Sequence, residues 1–172
     1  MSGRPQTTVL MPASRAFIAF SLGLAFILNL LPWGEALWAP DFVALVLVFW
    51  CVRQPRMVGI GVGFLLGLLM DVHNGALLGE HALAYSLLAY GAIAMHRRVP
   101  WFGLPGRMLH VLPLLLAAQA CVMLIRMAVG AEFPGWVLFT SSVVGIALWP
   151  ALEWLLLAPQ RRAGERDETR PL

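Results

Sequence analysis

Four side chains that could carry chemistry stand close together in the stretch "GIGVGFLLGLLMDVHNGALLGEH", residues 59–81. They are Asp71, His73, Glu80 and His81. Two carboxylates and two imidazoles could ligate a metal ion or transfer protons. The rest of the stretch is apolar enough to lie in a lipid bilayer, where an ionised group costs about 2.5–3.5 kcal/mol at the centre of a helix. Their presence in such a segment therefore needs a functional or a structural reason.

The spacing of these residues supports neither metal chemistry nor covalent catalysis. The Asp-x-His and Glu-His pairs match no strong zinc pattern such as His-Glu-x-x-His, and Gly75 and Gly79 predict a turn between them. Nucleophilic catalysis needs a nucleophile with a base in reach. The sequence shows no such motif, and Ser141 and Ser142 are small residues suited to packing. We therefore predict no catalytic residue, no metal ion, no cofactor and no enzymatic activity.

Glycines at every fourth position, Gly59, Gly63 and Gly67, precede Asp71 in the same series. One face of a helix would then carry no side chains, and a neighbouring helix could approach to backbone contact, which is a main source of association in lipid. Asp71 would face the same protein neighbour and not the lipid. Three roles stay open for this face and its acid: internal packing that stabilises the fold, docking of a partner protein, and a role of the acid in transport or catalysis.

Arg126 is a further charge inside an apolar segment, "VMLIRMAVGAEF". It either extends to the lipid headgroups or pairs with an acid, the candidates being Asp41, Asp71, Glu80 and Glu132. Gln119 precedes it by seven residues on the same helical face and is predicted to hydrogen-bond across helices. The predicted polar cluster on the outer side of the membrane comprises Asp41, His73, Glu80, His81 and Arg126.

The composition identifies the chain as an integral membrane protein. Of its 172 residues, 60% are hydrophobic and 12% are charged, and the mean hydropathy is +0.79. Soluble domains carry roughly 25% charged residues. The net charge of +3 is too small to indicate nucleic-acid binding. At about 20 residues per spanning helix, the length allows one membrane domain and little else.

Six apolar runs predict an all-α polytopic protein with six transmembrane helices. The runs cover 16–31, 42–52, 57–70, 76–95, 108–129 and 136–157. We read the first as a retained helix, because no good signal-peptide cleavage site precedes Pro32. The second and third runs are short, and a short or broken helix is predicted around 71–80. Asp41 follows Pro40 at the start of the second run and is predicted to cap it.

The arginines predict the orientation of this domain. With both termini in the cytoplasm, every arginine except Arg126 lies on the inner side, as the positive-inside rule requires. Trp33, Trp38 and Trp136 then mark the outer interface. Residues 1–15 and 158–172 are predicted as cytoplasmic segments on either side of a membrane domain at 16–157. Glu153 lies near the inner end of the last span and is expected to reach water.

The segment "PDFVALVLVFWCVRQPRMVGIGVGFLLGLLMDVHNGALLGEHALAYSLLAY", residues 40–90, resembles the MreD family of rod shape-determining proteins of Gram-negative bacteria. The resemblance rests on Pro40-Asp41, Trp50, Gln54-Pro55, Gly67-x-x-x-Asp71, Gly75 and "LLGEHALAY". It extends through "HRRVPWF", "HVLPLLL" and "FPGW" to "LLLAPQRR", and so covers nearly the whole chain. Ala39 stands where the family would lead us to expect arginine.

The resemblance implies a non-enzymatic inner-membrane scaffold of the cell-wall elongation complex. Its partners would be MreC, the actin-like filament MreB, and RodA with its penicillin-binding transpeptidase, all at the lipid bilayer and without nucleic acid. The family also looks similar in fold to the substrate-binding component of energy-coupling-factor vitamin transporters. The alternative function is therefore a transporter subunit whose outer pocket, lined by Asp71, His73, Glu80 and Trp33 or Trp38, would take a cationic or aromatic ligand.

Overall fold

The computed structural model describes residues 13–32, 38–133 and 135–167, and within them every regular element is helical. Six α-helices follow one another along the chain: α1 (Arg15–Leu30), α2 (Phe42–Arg53), α3 (Ile60–Asn74), α4 (Glu80–Met95), α5 (Leu104–Ala128) and α6 (Thr140–Asp167). Two short 3₁₀ segments, Val99–Trp101 and Trp136–Phe139, precede α5 and α6. Of the two predicted cytoplasmic segments, residues 1–12 and 168–172 lie outside these ranges, and α6 continues ten residues past the expected end at 157.

The helix ends follow from local chemistry. Asp41 caps α2 as predicted, since its carboxylate accepts a hydrogen bond from the N–H of Ala44 at 3.0 Å. α3 ends at Asn74 because Gly75 adopts the left-handed conformation, with φ of 57°, and Gly79 does so again at φ of 105° before α4. The region predicted as a broken helix is thus two helices joined by a turn at 75–79, with Asp71 in the last turn of α3.

Helix α2 forms the centre of the bundle. Every residue from 43 to 52 is buried, and α2 contacts α1, α4, α5 and α6. The buried indole N–H of Trp50 donates to the hydroxyl of Ser21 on α1, at 2.8 Å. A helix of twelve residues spans only about 18 Å, which is shorter than a bilayer core. Because its neighbours enclose it, α2 does not need to match the lipid by itself.

Helices α3 and α4 form a hairpin in which the backbones come into contact. Gly63 lies against the carbonyl of Tyr85, and Gly67 lies against the backbone of His81 and Ala82. The opposite face of α3 carries exposed apolar side chains, among them Phe64, Leu65 and Leu69. Gly59 precedes the first turn of α3, and a Cβ at that position would meet no atom within 4 Å. Close packing on α4 therefore involves Gly63 and Gly67.

In the part of the chain that the structure describes, two segments are long and apolar enough to cross a membrane, residues 104–128 and 136–160. Only 17% of the most apolar 18-residue stretch of α5 is buried inside the protein. The core helix of a soluble protein would be mostly buried, so this value favours a helix that faces lipid. α1, α2 and α3 are shorter apolar helices.

The expectation that Glu153 reaches water is wrong. Its side chain is buried and accepts hydrogen bonds from Arg53 of α2, at 3.1 Å, and from Arg107 of α5. The helical positions of these residues bring two arginines and one acid together between three helices. A buried carboxylate requires such partners. We call the end of the bundle that carries the 75–79 turn the hairpin end. The other end, which carries Glu153, is called the opposite end.

Replacing Gly67 by alanine is expected to destabilise the protein, whereas Gly61→Ala is not. A Cβ at Gly67 would lie 2.5 Å from the Cα of Ala82, so the two backbones would have to separate, while nothing lies within 4 Å of that position at Gly61. Overpacking costs about 1–3 kcal/mol, and exposed glycine in a helix gains up to about 1 kcal/mol on change to alanine. Thermal unfolding of the purified protein in detergent measures both. Equal melting temperatures for the two variants would contradict the close approach.

Candidate functional site

Asp71 is the centre of a polar network at the hairpin end. Its side chain is fully buried. The carboxylate accepts hydrogen bonds from the backbone N–H groups of Gly79 at 2.8 Å, His81 at 2.7 Å and Ala82 at 3.4 Å. These groups belong to the first turn of α4, whose N–H groups lack partners within their own helix. An acid on α3 therefore caps α4, where the helix dipole also favours negative charge.

The side chain of His81 extends this network. Its Nδ1 lies 2.8 Å from Oδ1 of Asp71. Because the carboxylate only accepts, Nδ1 carries the proton and Nε2 keeps its acceptor capacity in the neutral ring. The ring meets the ring of Tyr85 edge to face, with centroids 6.0 Å apart. His81 thus connects the Asp71 cap with the next polar group along α4.

Asp41 connects three helices at the same end. Besides capping α2, its carboxylate accepts from the amide nitrogen of Asn29 on α1 at 2.9 Å and from the hydroxyl of Tyr85 on α4 at 2.6 Å. Asn29 accepts in turn from the N–H of Phe42 at 3.0 Å. Tyr85 is buried, so its hydroxyl requires a partner. α1, α2 and α4 are held together through one carboxylate.

Arg126 pairs with Glu80, one of the four acids considered from the sequence. The Nε of Arg126 donates to Oε1 of Glu80 at 2.5 Å. The Glu80 side chain is 2% exposed and that of Arg126 is 45% exposed. The arginine of α5 therefore pairs with a buried acid at the start of α4, while part of its side chain stays exposed.

Gln119 makes the predicted interhelical hydrogen bonds. Its amide nitrogen donates to the hydroxyl of Ser141, and its oxygen accepts from the hydroxyl of Ser142 at 2.7 Å. Both serines are buried on α6. The prediction that they serve only as small packing residues was incomplete, since they also satisfy the buried amide.

Other residues of the predicted cluster lie apart. His73 is exposed on α3 and makes no contact with Asp71 or His81 among the described residues, and Trp38 is 54% exposed. Trp33 lies outside the described residues. Asn29 and Tyr85 were not predicted, although Asn29, a lone polar residue near the end of the run 16–31, could have been noticed. Within the described ranges, no three side chains of His, Cys, Asp or Glu are arranged to hold a metal ion.

Asp71→Asn is expected to lower the melting temperature and the amount of protein in membranes. Asparagine presents one oxygen and one NH₂ group, so at least one N–H of α4 would face a donor, at about 1–3 kcal/mol for each unsatisfied group. His73→Asn, two residues away on the exposed face, is the matched control and should resemble wild type. An Asp71→Asn protein as stable as this control would exclude the capping role.

Glu80→Gln and Arg126→Gln are expected to be non-additive in the free energy of unfolding. Residues in direct contact show coupling of about 0.5–3 kcal/mol, whereas distant residues add within about 0.3–0.5 kcal/mol. Arg126→Gln combined with Glu153→Gln, at the two ends of the bundle, supplies the additive control. Thermal or denaturant unfolding of the wild type, the two single variants and the double variant gives the coupling free energy. A coupling free energy no larger than that of the control pair would argue against the ion pair.

Comparison with known proteins identifies the family to which the chain belongs. The sequence profile of the family described as rod shape-determining protein MreD matches residues 8–158. The chain is 30% identical over 140 residues to the rod shape-determining protein MreD of Haemophilus influenzae, covering 78% of this chain and 82% of that protein. No solved structure matches the chain significantly. The match over most of both sequences shows that the chain belongs to the MreD family of rod shape-determining membrane proteins.

Proposed function

We propose that the chain is a non-enzymatic scaffold of the cell-wall elongation complex in the bacterial inner membrane, where it binds MreC. Further partners are MreB, directly or through MreC, and RodA with its penicillin-binding transpeptidase. The observation that carries the proposal is membership of the rod shape-determining family along almost the whole chain. The proposal is supported by the polar contacts between helices, in which buried carboxylates accept from backbone N–H groups, a tyrosine hydroxyl and arginines and so connect the helices of the bundle.

All six helices cross the membrane in this proposal, with both termini inside. In this topology consecutive helices run in opposite directions across the membrane, and the opposite end carries Arg53 and Arg107 while Arg126 stands at the hairpin end. This distribution supports a cytoplasmic opposite end. The short helices α2 and α3 are tolerated because α2 is enclosed and α3 is extended by a turn whose polar groups are bonded. A fold like that of the vitamin-transporter component remains part of the proposal.

Partner proteins bind to surfaces of the bundle other than the face of α3 that carries the glycines. Gly63 and Gly67 pack against α4 inside the bundle, so their role in the scaffold is to keep the hairpin closed. The second candidate function, a small-molecule-binding subunit of a transporter, is favoured by one observation, a cavity at the hairpin end. The two functions differ in the partners that they require, because a transporter subunit should bind ATPase subunits.

Complementation of cell shape and co-purification of partner proteins, carried out on the same variants, test the scaffold function. We expect a cell whose own copy is replaced by a Gly67→Leu variant to lose rod shape, and MreC and RodA to be lost from the affinity-purified chain, because the hairpin no longer closes. Gly61→Leu, on the exposed face of the same helix, is the matched control and should keep both. Mass spectrometry of the purified complexes identifies the partners.

Rod-shaped cells with full partner recovery in Gly67→Leu would contradict the role of the closed hairpin. Recovery of transport ATPases in place of MreC and RodA would contradict the scaffold itself and favour the transporter subunit.

A further inference from the structure

A cavity of about 160 Å³ lies at the hairpin end between α2, α4, α5 and α6. Its apolar wall includes Leu45, Ala84, Leu115, Ala118 and Val122. Polar side chains from the network described above complete it. The cavity lies beside the Asp71 cap, although Asp71 itself is not part of the wall.

The volume fits a small organic molecule. A cavity of about 150 Å³ in another protein holds benzene when all of its walls are apolar. The present cavity is slightly larger, and its walls combine an apolar side with hydrogen-bonding groups, which is the usual chemistry of a ligand site. Arg126 lines it and is 45% exposed, so the cavity reaches the surface of the protein.

The charges around the cavity favour a cation. Among the described lining residues the carboxylate is that of Asp41, and its hydrogen-bond partners, Asn29, Tyr85 and the N–H of Ala44, are neutral. Arg126, the guanidinium of the wall, is already paired with Glu80, which is not a lining residue. A positively charged occupant beside Asp41 is therefore attracted by a carboxylate whose described hydrogen-bond partners carry no charge.

The wall also has free hydrogen-bond acceptors, and these favour an occupant that donates hydrogen bonds. His81 uses Nδ1 for Asp71 and keeps an acceptor at Nε2. Oδ2 of Asp41 accepts from Tyr85 and can accept once more. The ring of Tyr85 can also stabilise a cation through its face. An ammonium group, with three N–H donors and no acceptor, matches this set of acceptors.

We propose that the cavity binds a protonated amine that carries a ring-sized or short alkyl body, with the ammonium group toward Asp41 and His81 and the body against the α5 wall. The amine could belong to a free small molecule or to a lysine side chain of a partner protein, since both offer the same group. The proposal is independent of the scaffold function, because it concerns what occupies the cavity and not which proteins assemble around the bundle.

Three probes of equal size and different charge test this site on the full-length protein in detergent. Benzylamine is a cation at neutral pH, benzyl alcohol is neutral, and benzoate is an anion. We expect benzylamine to raise the melting temperature and to bind about tenfold more tightly than benzyl alcohol, a difference of about 1.4 kcal/mol, with no binding of benzoate. Isothermal titration gives the affinities.

Two variants locate the binding. Ala118→Leu fills the cavity from α5 and should abolish the effect of benzylamine, whereas Ala147→Leu, on the exposed face of α6, should leave it unchanged. Asp41→Asn keeps a helix-capping side chain and removes one negative charge, and it should weaken benzylamine about tenfold with little effect on benzyl alcohol. The melting temperature without ligand shows whether each variant is folded.

Equal affinity for benzylamine and benzyl alcohol, or benzylamine binding that persists in Ala118→Leu, would overturn the proposal. Protection by none of the three probes would do so as well. If the proposal holds, the protein purified from its own membranes identifies the source of the natural amine. A small mass released in native mass spectrometry identifies a free amine, and a carbodiimide cross-link from Asp41 or Glu80 to a partner's lysine, lost in Ala118→Leu, identifies a side chain.

Discussion

The structure depends on one constraint, that an ionised carboxylate buried in a membrane bundle must find its hydrogen-bond donors within the protein. Asp71 meets it by accepting from three backbone N–H groups and one imidazole of α4. The N–H groups at the start of a helix need acceptors as much as the acid needs donors. The bonds therefore satisfy both helices at once, and they hold the end of α3 at the start of α4.

The glycine face and the acid act on the same hairpin. Gly63 and Gly67 allow the backbones of α3 and α4 to touch, which brings Asp71 within reach of the first turn of α4. Asp41 and the Glu80–Arg126 pair then attach this hairpin to α1, α2 and α5. Arg53, Arg107 and Glu153 close the opposite end. Polar networks thus lie at both ends of the bundle, and the apolar core lies between them.

The sequence predicted those features that depend on local spacing. The six helices, the cap at Asp41, the hydrogen bonds of Gln119 and the pairing of Arg126 with an acid follow from periodicity and from the cost of burying polar groups. The exclusion of His73 from the cluster could also have been predicted, because two positions along a helix turn a side chain by about 200°. Asp71 and His73 cannot share a face while the helix is continuous.

Features that depend on which helices are neighbours could not be predicted. Arg126 had four candidate acids on the same side in the predicted topology, and only the packing of α5 on α4 selects Glu80. Glu153 was expected in water because nothing in its own helix indicates that α2 and α5 bring arginines to it. The contacts of Asn29 and Tyr85 with Asp41 likewise join three helices. Such contacts are set by tertiary structure and leave no periodic pattern.

Hydrogen–deuterium exchange of the backbone amides in the 75–85 segment tests the central claim most directly. In the wild-type protein, the amides of Gly79, His81 and Ala82 should exchange slowly, although they stand at a helix start where such groups usually exchange fast. In Asp71→Asn they should exchange much faster, while the amides of α2 stay protected. Unchanged protection at these three amides in the variant would show that Asp71 does not hold the hairpin, and would contradict the account.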